Sequence, residues 1–259
     1  MVDERMAYDA DSKLPRIAAA FWVMKISATT LGETAGDLLS MTLNVGYATG
    51  SLILLSGFLV SLVCQILSKR YHPALYWAVI LSTSTAGTTM SDYMDRTLGL
   101  GYAKGTALLI TILLCVFAAW RLTTGTLSVD SVKTRKAELL YWMAILFSNT
   151  LGTALGDFLA DSSGLGFLGG AILIGGLLTL VLFLTFFTRL SRVLLFWIAF
   201  VLTRPFGATV GDVLTKSKQK GGLNFGTIGS SAILAGILVA FVAWSMVKER
   251  RARAAAASA

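Results

Sequence analysis

A tryptophan followed by a glycine ten residues on and an aspartate fifteen residues on recurs four times in this chain. The tryptophans are Trp22, Trp77, Trp142 and Trp197; the glycines are Gly32, Gly87, Gly152 and Gly207; the aspartates are Asp37, Asp92, Asp157 and Asp212. The residue before each aspartate is small, in turn Gly36, Ser91, Gly156 and Gly211. Spacings of 55, 65 and 55 residues carry the first half onto the second with a shift of 120, the mark of a unit duplicated twice. A period of this length belongs to arrays that stack one supersecondary unit. Any fold for this chain must be buildable from four copies of that unit.

Each unit holds two apolar stretches joined by a glycine-marked turn, such as Asn44-Val45-Gly46-Tyr47 or Leu100-Gly101-Tyr102. Hydrophobic residues make up 55% of the chain and charged residues 14%, with a mean hydropathy of +0.73. Soluble domains carry about 25% charged residues, and about 20 apolar residues cross a bilayer as a helix. The pattern predicts an all-α membrane protein with eight transmembrane helices, formed from four tandem, parallel two-helix repeats. The odd helices are expected near 17–41, 74–97, 138–160 and 193–215, and the even ones near 46–67, 100–120, 165–188 and 224–247. One transmembrane domain, 17–247, holds repeats at 17–68, 73–121, 137–189 and 192–247. It lies between an N-terminal tail, 1–16, and a basic C-terminal tail, 248–259. The opening residues lack the pattern of a signal peptide. Because each unit crosses twice, all four copies point the same way, about an axis along the membrane normal.

The net charge of +8 sits in loops and tails, which argues against nucleic acid and for orientation in a membrane. Fifteen basic residues fall on the side of the termini, against five on the other (Arg96, Lys104, Lys216, Lys218 and Lys220). Both termini are therefore expected in the cytoplasm. The Lys216, Lys218 and Lys220 cluster runs against that rule, and the sequence offers no account of it. Cys64 and Cys115 read as buried small hydrophobes, and His72, the only histidine, as a surface loop residue.

Four tandem two-span units, each marked by a tryptophan in a W-x9-G-x3-[GS]-D pattern, resemble a bacterial membrane-protein family known as a repeat of unknown function. The resemblance covers residues 20 to 245 and implies a bacterial inner-membrane location and a topology, with no activity attached. Glu33-Thr34-Ala35-Gly36-Asp37, with Ser40 behind it, also looks like the E-x-G-D-[KR]-[ST] signature of calcium and manganese transporters. No basic residue follows Asp37, and the other three repeats lack Glu33.

Residues four apart share a helix face. On the first odd helix that face carries Lys25, Thr29, Glu33 and Asp37. The matching rows are Ile80, Ser84, Thr88 and Asp92; Ile145, Asn149, Thr153 and Asp157; and Phe200, Arg204, Ala208 and Asp212. Each odd helix thus has one polar stripe, which must face other helices or a water-filled cavity. Gly32-x3-Gly36, Gly152-x3-Gly156 and Gly207-x3-Gly211, with Gly87 beside Ser91, are small-residue pairs that let helices approach closely. The four tryptophans are expected as anchors in the membrane interface.

Two roles stand open for the aspartates: capping and packing of helix ends, or a ring of carboxylates around a cation pathway with Glu33, Thr29, Thr88, Asn149 and Thr153. Asp95, Arg96 and Asp161 read as loop-end charges. Lys25 and Arg204 would be counter-charges or a gate, paired across helices. The pathway groups then leave a net charge of −3, which favours a cation. Oxygen donors suit a hard divalent ion such as manganese, with Glu33, Asp37 and Asp157 as ligand candidates, or protons. The cation would be transported rather than held as a cofactor. The expected function is a cation transporter in contact with lipid and a small ion or solute, with homo-oligomer formation left open. The alternative is a structural or regulatory membrane protein whose stripe only specifies packing. No nucleophile elbow, paired-histidine motif or phosphate loop points to an enzyme.

Overall fold

The computed structural model describes residues 14–15 and 17–257, with side chains in the last helix described to residue 251. Most of the expected N-terminal tail lies outside the described residues, as does the end of the C-terminal tail. The described residues form eight α-helices in sequence order: α1 (Ala19–Asp37), α2 (Tyr47–Leu67), α3 (Pro73–Asp92), α4 (Tyr102–Thr124), α5 (Arg135–Asp157), α6 (Gly166–Phe187), α7 (Arg192–Thr215) and α8 (Thr227–Ala257). Among the described residues there is no strand. Six of the helices (α2 and α4 to α8) are long and apolar enough to cross a membrane. The polar stripe keeps α1 and α3 out of that set.

Local chemistry sets the helix ends. Pro73 opens α3, where its missing N–H costs nothing. The Thr134 hydroxyl accepts from the Ala137 N–H at the start of α5, and Ser191 accepts from Leu194 at the start of α7. Three odd helices run past their aspartate into a five-residue π-helical turn: Leu38–Thr42, Tyr93–Thr97 and Phe158–Ser162. The α7 helix instead ends at Thr215, and a short 3-10 turn at Lys218–Lys220 follows. Before each even helix the chain reverses through a glycine at positive φ: Gly46 at 80°, Gly101 at 74°, Gly166 at 67° and Gly226 at 77°. Glycine reaches that conformation without a Cβ clash. These four glycines also fix which residues of the even helices correspond.

The odd helices α1, α3, α5 and α7 pack side by side into a closed inner ring, each touching the next, with α7 returning to α1. The even helices lie outside it. Each packs mainly on the odd helix of the following repeat: α2 on α3, α4 on α5, α6 on α7, and α8 back on α1. The sequence repeat is therefore not the packing unit. The outer faces carry exposed apolar side chains, among them Leu52, Val60, Leu114, Leu122, Ile172, Phe186, Ile233 and Val239. Cys64 and Cys115 are on these outward faces, not in the core as expected. His72 is exposed just before α3.

Close approach within the ring depends on the repeated glycines. A Cβ on Gly32 or Gly152 would run into Ser84 or Arg204 of the next odd helix. One on Gly36 would stand 2.8 Å from Thr88, and one on Gly87 2.9 Å from the Thr150 backbone nitrogen. The same holds where α7 meets α1, with Gly207 against Thr29 and Gly211 against Glu33, while Gly156 faces Ala208. The small residues thus act as the sequence predicts, all in one rotational sense around the ring.

Candidate functional site

The four stripes all turn inward, so the four-residue step of the odd helices stacks layers along the ring axis. At the tryptophan end the layer is aromatic. Phe21, Tyr76 and Tyr141 are buried there, one from each of three successive odd helices, and the partly buried Phe196 completes the row. The Tyr76 and Tyr141 hydroxyls share a hydrogen bond of 2.7 Å. Trp77, Trp142 and Trp197 are buried beside them, and Trp22 is half-buried. The Trp197 indole N–H donates to the Leu127 carbonyl at 2.9 Å and ties the loop after α4 to this end. Trp77, Trp142 and Trp197 thus pack edge-on against the aromatic layer instead of forming the expected interfacial belt.

Above the aromatic layer lies Lys25, fully enclosed. Its ammonium donates to Asn149 Oδ1 at 3.2 Å and sits 4.1 Å from the centre of the Phe200 ring. Asn149 passes the interaction on, its amide donating to the Thr83 hydroxyl at 2.9 Å.

Next comes Arg204, also fully enclosed, whose two terminal nitrogens both donate to Glu33 Oε2 at 3.0 Å. Nη2 also donates to the Thr88 hydroxyl at 2.6 Å, the Thr153 hydroxyl at 2.7 Å and the Ser84 carbonyl at 3.4 Å. The two threonines in turn donate to the same Glu33 oxygen, at 3.4 and 3.2 Å. One guanidinium from α7 therefore holds α1, α3 and α5 together. Thr29 donates to the backbone, to the Lys25 carbonyl at 3.0 Å and the Thr203 carbonyl at 3.1 Å. Arg204 thus pairs across helices with a carboxylate, whereas Lys25 reaches across to a neutral amide and an aromatic ring.

The aspartates form the last buried layer, and they divide into two pairs. Arg96 Nε stands 2.9 Å from Asp92 Oδ1, and Arg96 Nη2 donates to Asp157 Oδ2 at 3.1 Å. Lys216 Nζ donates to Asp37 Oδ2 at 2.6 Å and stands 3.1 Å from Asp212 Oδ1. Arg96 is thus no loop-end charge, and Lys216 finds the role the sequence did not supply. Both stand four residues beyond an aspartate, so they extend the stripe by one step. Burial pushes the Lys216 ammonium down, but Asp212 and Asp37 outweigh it and hold its pKa well above the ordinary lysine value. With these two cations included, the nine charged groups on the axis carry a formal net charge of −1 instead of −3. None of the aspartates that open the three π-helical turns caps its turn through a side-chain hydrogen bond.

Carboxylate oxygens of Glu33, Asp37 and Asp212 lie within 4.8 Å of one another. This grouping replaces the expected Glu33, Asp37 and Asp157 set, because Asp157 turns to Arg96. Three carboxylates at this spacing are a donor set for a hard cation, and the Lys216 ammonium already serves two of them. Asp95, expected in a loop, is buried under α4, where Gly105 leaves room for its carboxylate. Asp161 is exposed as expected and accepts from the Tyr102 hydroxyl at 3.3 Å. Arg96 and Lys216 form the edge of the aspartate layer toward solvent, their side chains 30% and 19% exposed over the buried carboxylates. At the aromatic end Tyr76 and Trp142 are fully enclosed.

A family model described as a Repeat of Unknown Function (DUF347) matches the chain four times, at residues 20–71, 75–126, 140–191 and 195–251. No curated protein and no solved structure matches it.

Proposed function

The chain belongs to this four-repeat family, and we propose that it is a multi-pass membrane transporter for a cation, seen in a closed conformation, with its pathway along the ring axis. The observation that carries the reading is the unbroken column of charged and hydroxyl side chains from Lys25 to Arg96 and Lys216, enclosed by four helices. Ionisable groups inside a membrane are expensive and cluster on ion and proton routes. A packing role alone would need fewer of them. In this reading all eight helices traverse the bilayer as parallel repeats, α1 and α3 being shielded from lipid by the outer helices. With Arg96 and Lys216 drawn into the ring, only Lys104, Lys218 and Lys220 remain as loose cations on the aspartate side. By the positive-inside rule that balance of charge supports a reading with both termini in the cytoplasm, at an inner membrane.

The paired aspartates define the transport step. A proton or hard divalent ion entering from the aspartate side meets two carboxylate pairs, each held by one cation of the protein itself. Binding at Glu33, Asp37 and Asp212 requires Lys216 to swing away, and the freed ammonium is then the moving part of the gate. The aromatic layer closes the cytoplasmic end in this state. Access from that side requires the Tyr76–Tyr141 hydrogen bond to part.

Two observations favour the second reading, a non-transporting protein whose stripe specifies packing: the glycine contacts are tight, and every aspartate of the ring already faces a cation. Proteoliposomes separate the two. Manganese, calcium and magnesium uptake, with and without a proton gradient, is measured for the parent and for Asp37→Asn and Asp157→Asn. Transport predicts saturable flux of a cation that both variants abolish while remaining folded in the membrane. Flux absent from the parent, or unchanged in both variants, leaves the packing reading.

A further inference from the structure

The four glycines that open the even helices at positive φ put Gln65, Trp120, Thr185 and Ser245 at corresponding positions, nineteen residues into each unit's second half. Gln65 and Trp120 are fully enclosed and fill the space between their outer helix and the ring. Trp120 does so against Tyr141 and Trp197. Thr185 on α6 is too small for this. A cavity of about 730 Å³ opens beside it, lined by Trp22, Ile26, Leu182, Phe196 and Thr203 and with Arg192 at its rim. At Ser245 the corresponding gap is about 170 Å³, and Trp244 and Lys248 border it. The rim residue also departs from the repeat: Arg192 corresponds to Ile17, His72 and Ala137 in the other units. A lost core side chain and a gained exposed cation thus converge on one groove at the tryptophan end.

We infer that the groove between α6, α7 and α1 is a binding site for one acyl chain of an anionic phospholipid, whose phosphate rests on Arg192. The lining is almost wholly aliphatic and aromatic, which suits a hydrocarbon chain. The groove is open to the outer apolar face, where a bilayer supplies such chains. Arg192 offers a guanidinium where the headgroups lie, and guanidinium pairs with phosphate through two parallel hydrogen bonds. The site rests on the membrane placement proposed above and not on transport. Its position against Trp22, Ile26 and Thr203 sets the lipid against the α1–α7 contact, the same seam that Gly207 and Thr29 close.

The test uses the full chain, released in mild detergent from nanodiscs of equimolar phosphatidylglycerol and phosphatidylcholine, with retained lipid read by native mass spectrometry. The parent is expected to keep one phospholipid, with about a fivefold preference for phosphatidylglycerol, the discrimination that one basic residue gives at an anionic surface. Thr185→Trp restores at this position the ring that Trp120 supplies in the second unit, narrows the groove and should release the lipid. Arg192→Gln, on the surface and neutral to folding, should keep a lipid but lose the preference. Equal retention by the parent and Thr185→Trp overturns the inference. So does equal headgroup preference in the parent and Arg192→Gln, or a Thr185→Trp effect on dimer mass in place of lipid, which would make the groove an interface between copies. A chain recovered outside the membrane fraction would defeat the membrane placement instead, and that outcome is read separately by fractionation.

Discussion

Arg96 and Lys216 stand 120 residues apart at the same place in the two halves of the chain, and each bridges two aspartates from neighbouring inner helices. Arg96 joins α3 to α5 and Lys216 joins α7 to α1, so two of the four seams of the ring are pinned by an ion pair at this level. The other two seams are held deeper in the ring, α5 to α7 by Arg204 donating to Thr153 and α1 to α3 by Thr88 donating to Glu33 and to the Gly32 carbonyl.

The Glu33–Arg204 pair is fully enclosed, so its two halves are not independent. Replacing Arg204 by Met leaves Glu33 buried without its partner, and losing one member of a buried pair costs about 3–5 kcal/mol. Arg204→Met should lower the thermal midpoint in detergent sharply. Glu33→Gln combined with Arg204→Met should recover at least half of the loss, and additive effects in the double variant would contradict the pairing.

The Lys216 ammonium has its pKa held up by Asp212 and Asp37 against burial. A raised native pKa means the contribution to stability is complete below the unfolded lysine value, about 10.4, and fades only as pH climbs above it. The stability difference between the parent and Lys216→Met should therefore stay flat from neutral pH to mildly alkaline pH and shrink beyond. A difference that peaks at neutral pH and is gone by pH 9 would mean that the lysine is not held this way.

Gly207 and Gly57 give a matched pair for the packing of the ring. A Cβ at Gly207 meets Thr29 and the Thr30 backbone, whereas one at Gly57 on α2 meets nothing within 4 Å. Gly207→Ala should destabilise by about 1–3 kcal/mol, the usual cost of overpacking. Gly57→Ala should be neutral or slightly stabilising, since alanine favours the helix. Equal midpoints for the two variants would remove the tight α1–α7 contact.

Topology is open to a labelling test. With Cys64 and Cys115 replaced by Ser, Lys133→Cys and Lys218→Cys lie at opposite ends of the bundle. An impermeant maleimide added to intact cells should label position 218 and spare 133, with the reverse in inverted membranes. Labelling of both from one side would contradict eight crossings.

The inner stripes were legible because helical period and repeat register are both written in the sequence. Lys25, Thr29, Glu33, Asp37 and their counterparts all reach the ring interior at the positions their spacing implies. The stripe was cut short at the aspartates because the glycine turns that follow look like helix ends. The π-helical turns carry the face one step further, to Arg96, and the shift of 120 that links Arg96 to Lys216 was the available signal. The tryptophans were misplaced for a different reason. An aromatic at the end of an apolar helix satisfies both an interfacial belt and a core layer, and only contact with the rings of neighbouring helices decides between them. The packing of α2 on α3 instead of α1 leaves no mark in composition or period at all, since either partner buries the same apolar face.

That offset packing bears on how such a molecule arises. A single two-helix unit leaves its second helix without the neighbour it sits on, so the unit is complete only in a closed circle of four. A circle of four separate identical chains repeats every residue on its axis four times. Four arginines at the level of Arg204, or four glutamates at the level of Glu33, would crowd like charges around one axis. Fusion into one chain lifts that restriction, because a single Arg204 can then meet a single Glu33. The asymmetric charges on the axis are thus open to a single polypeptide of four units and closed to a symmetric circle of identical ones.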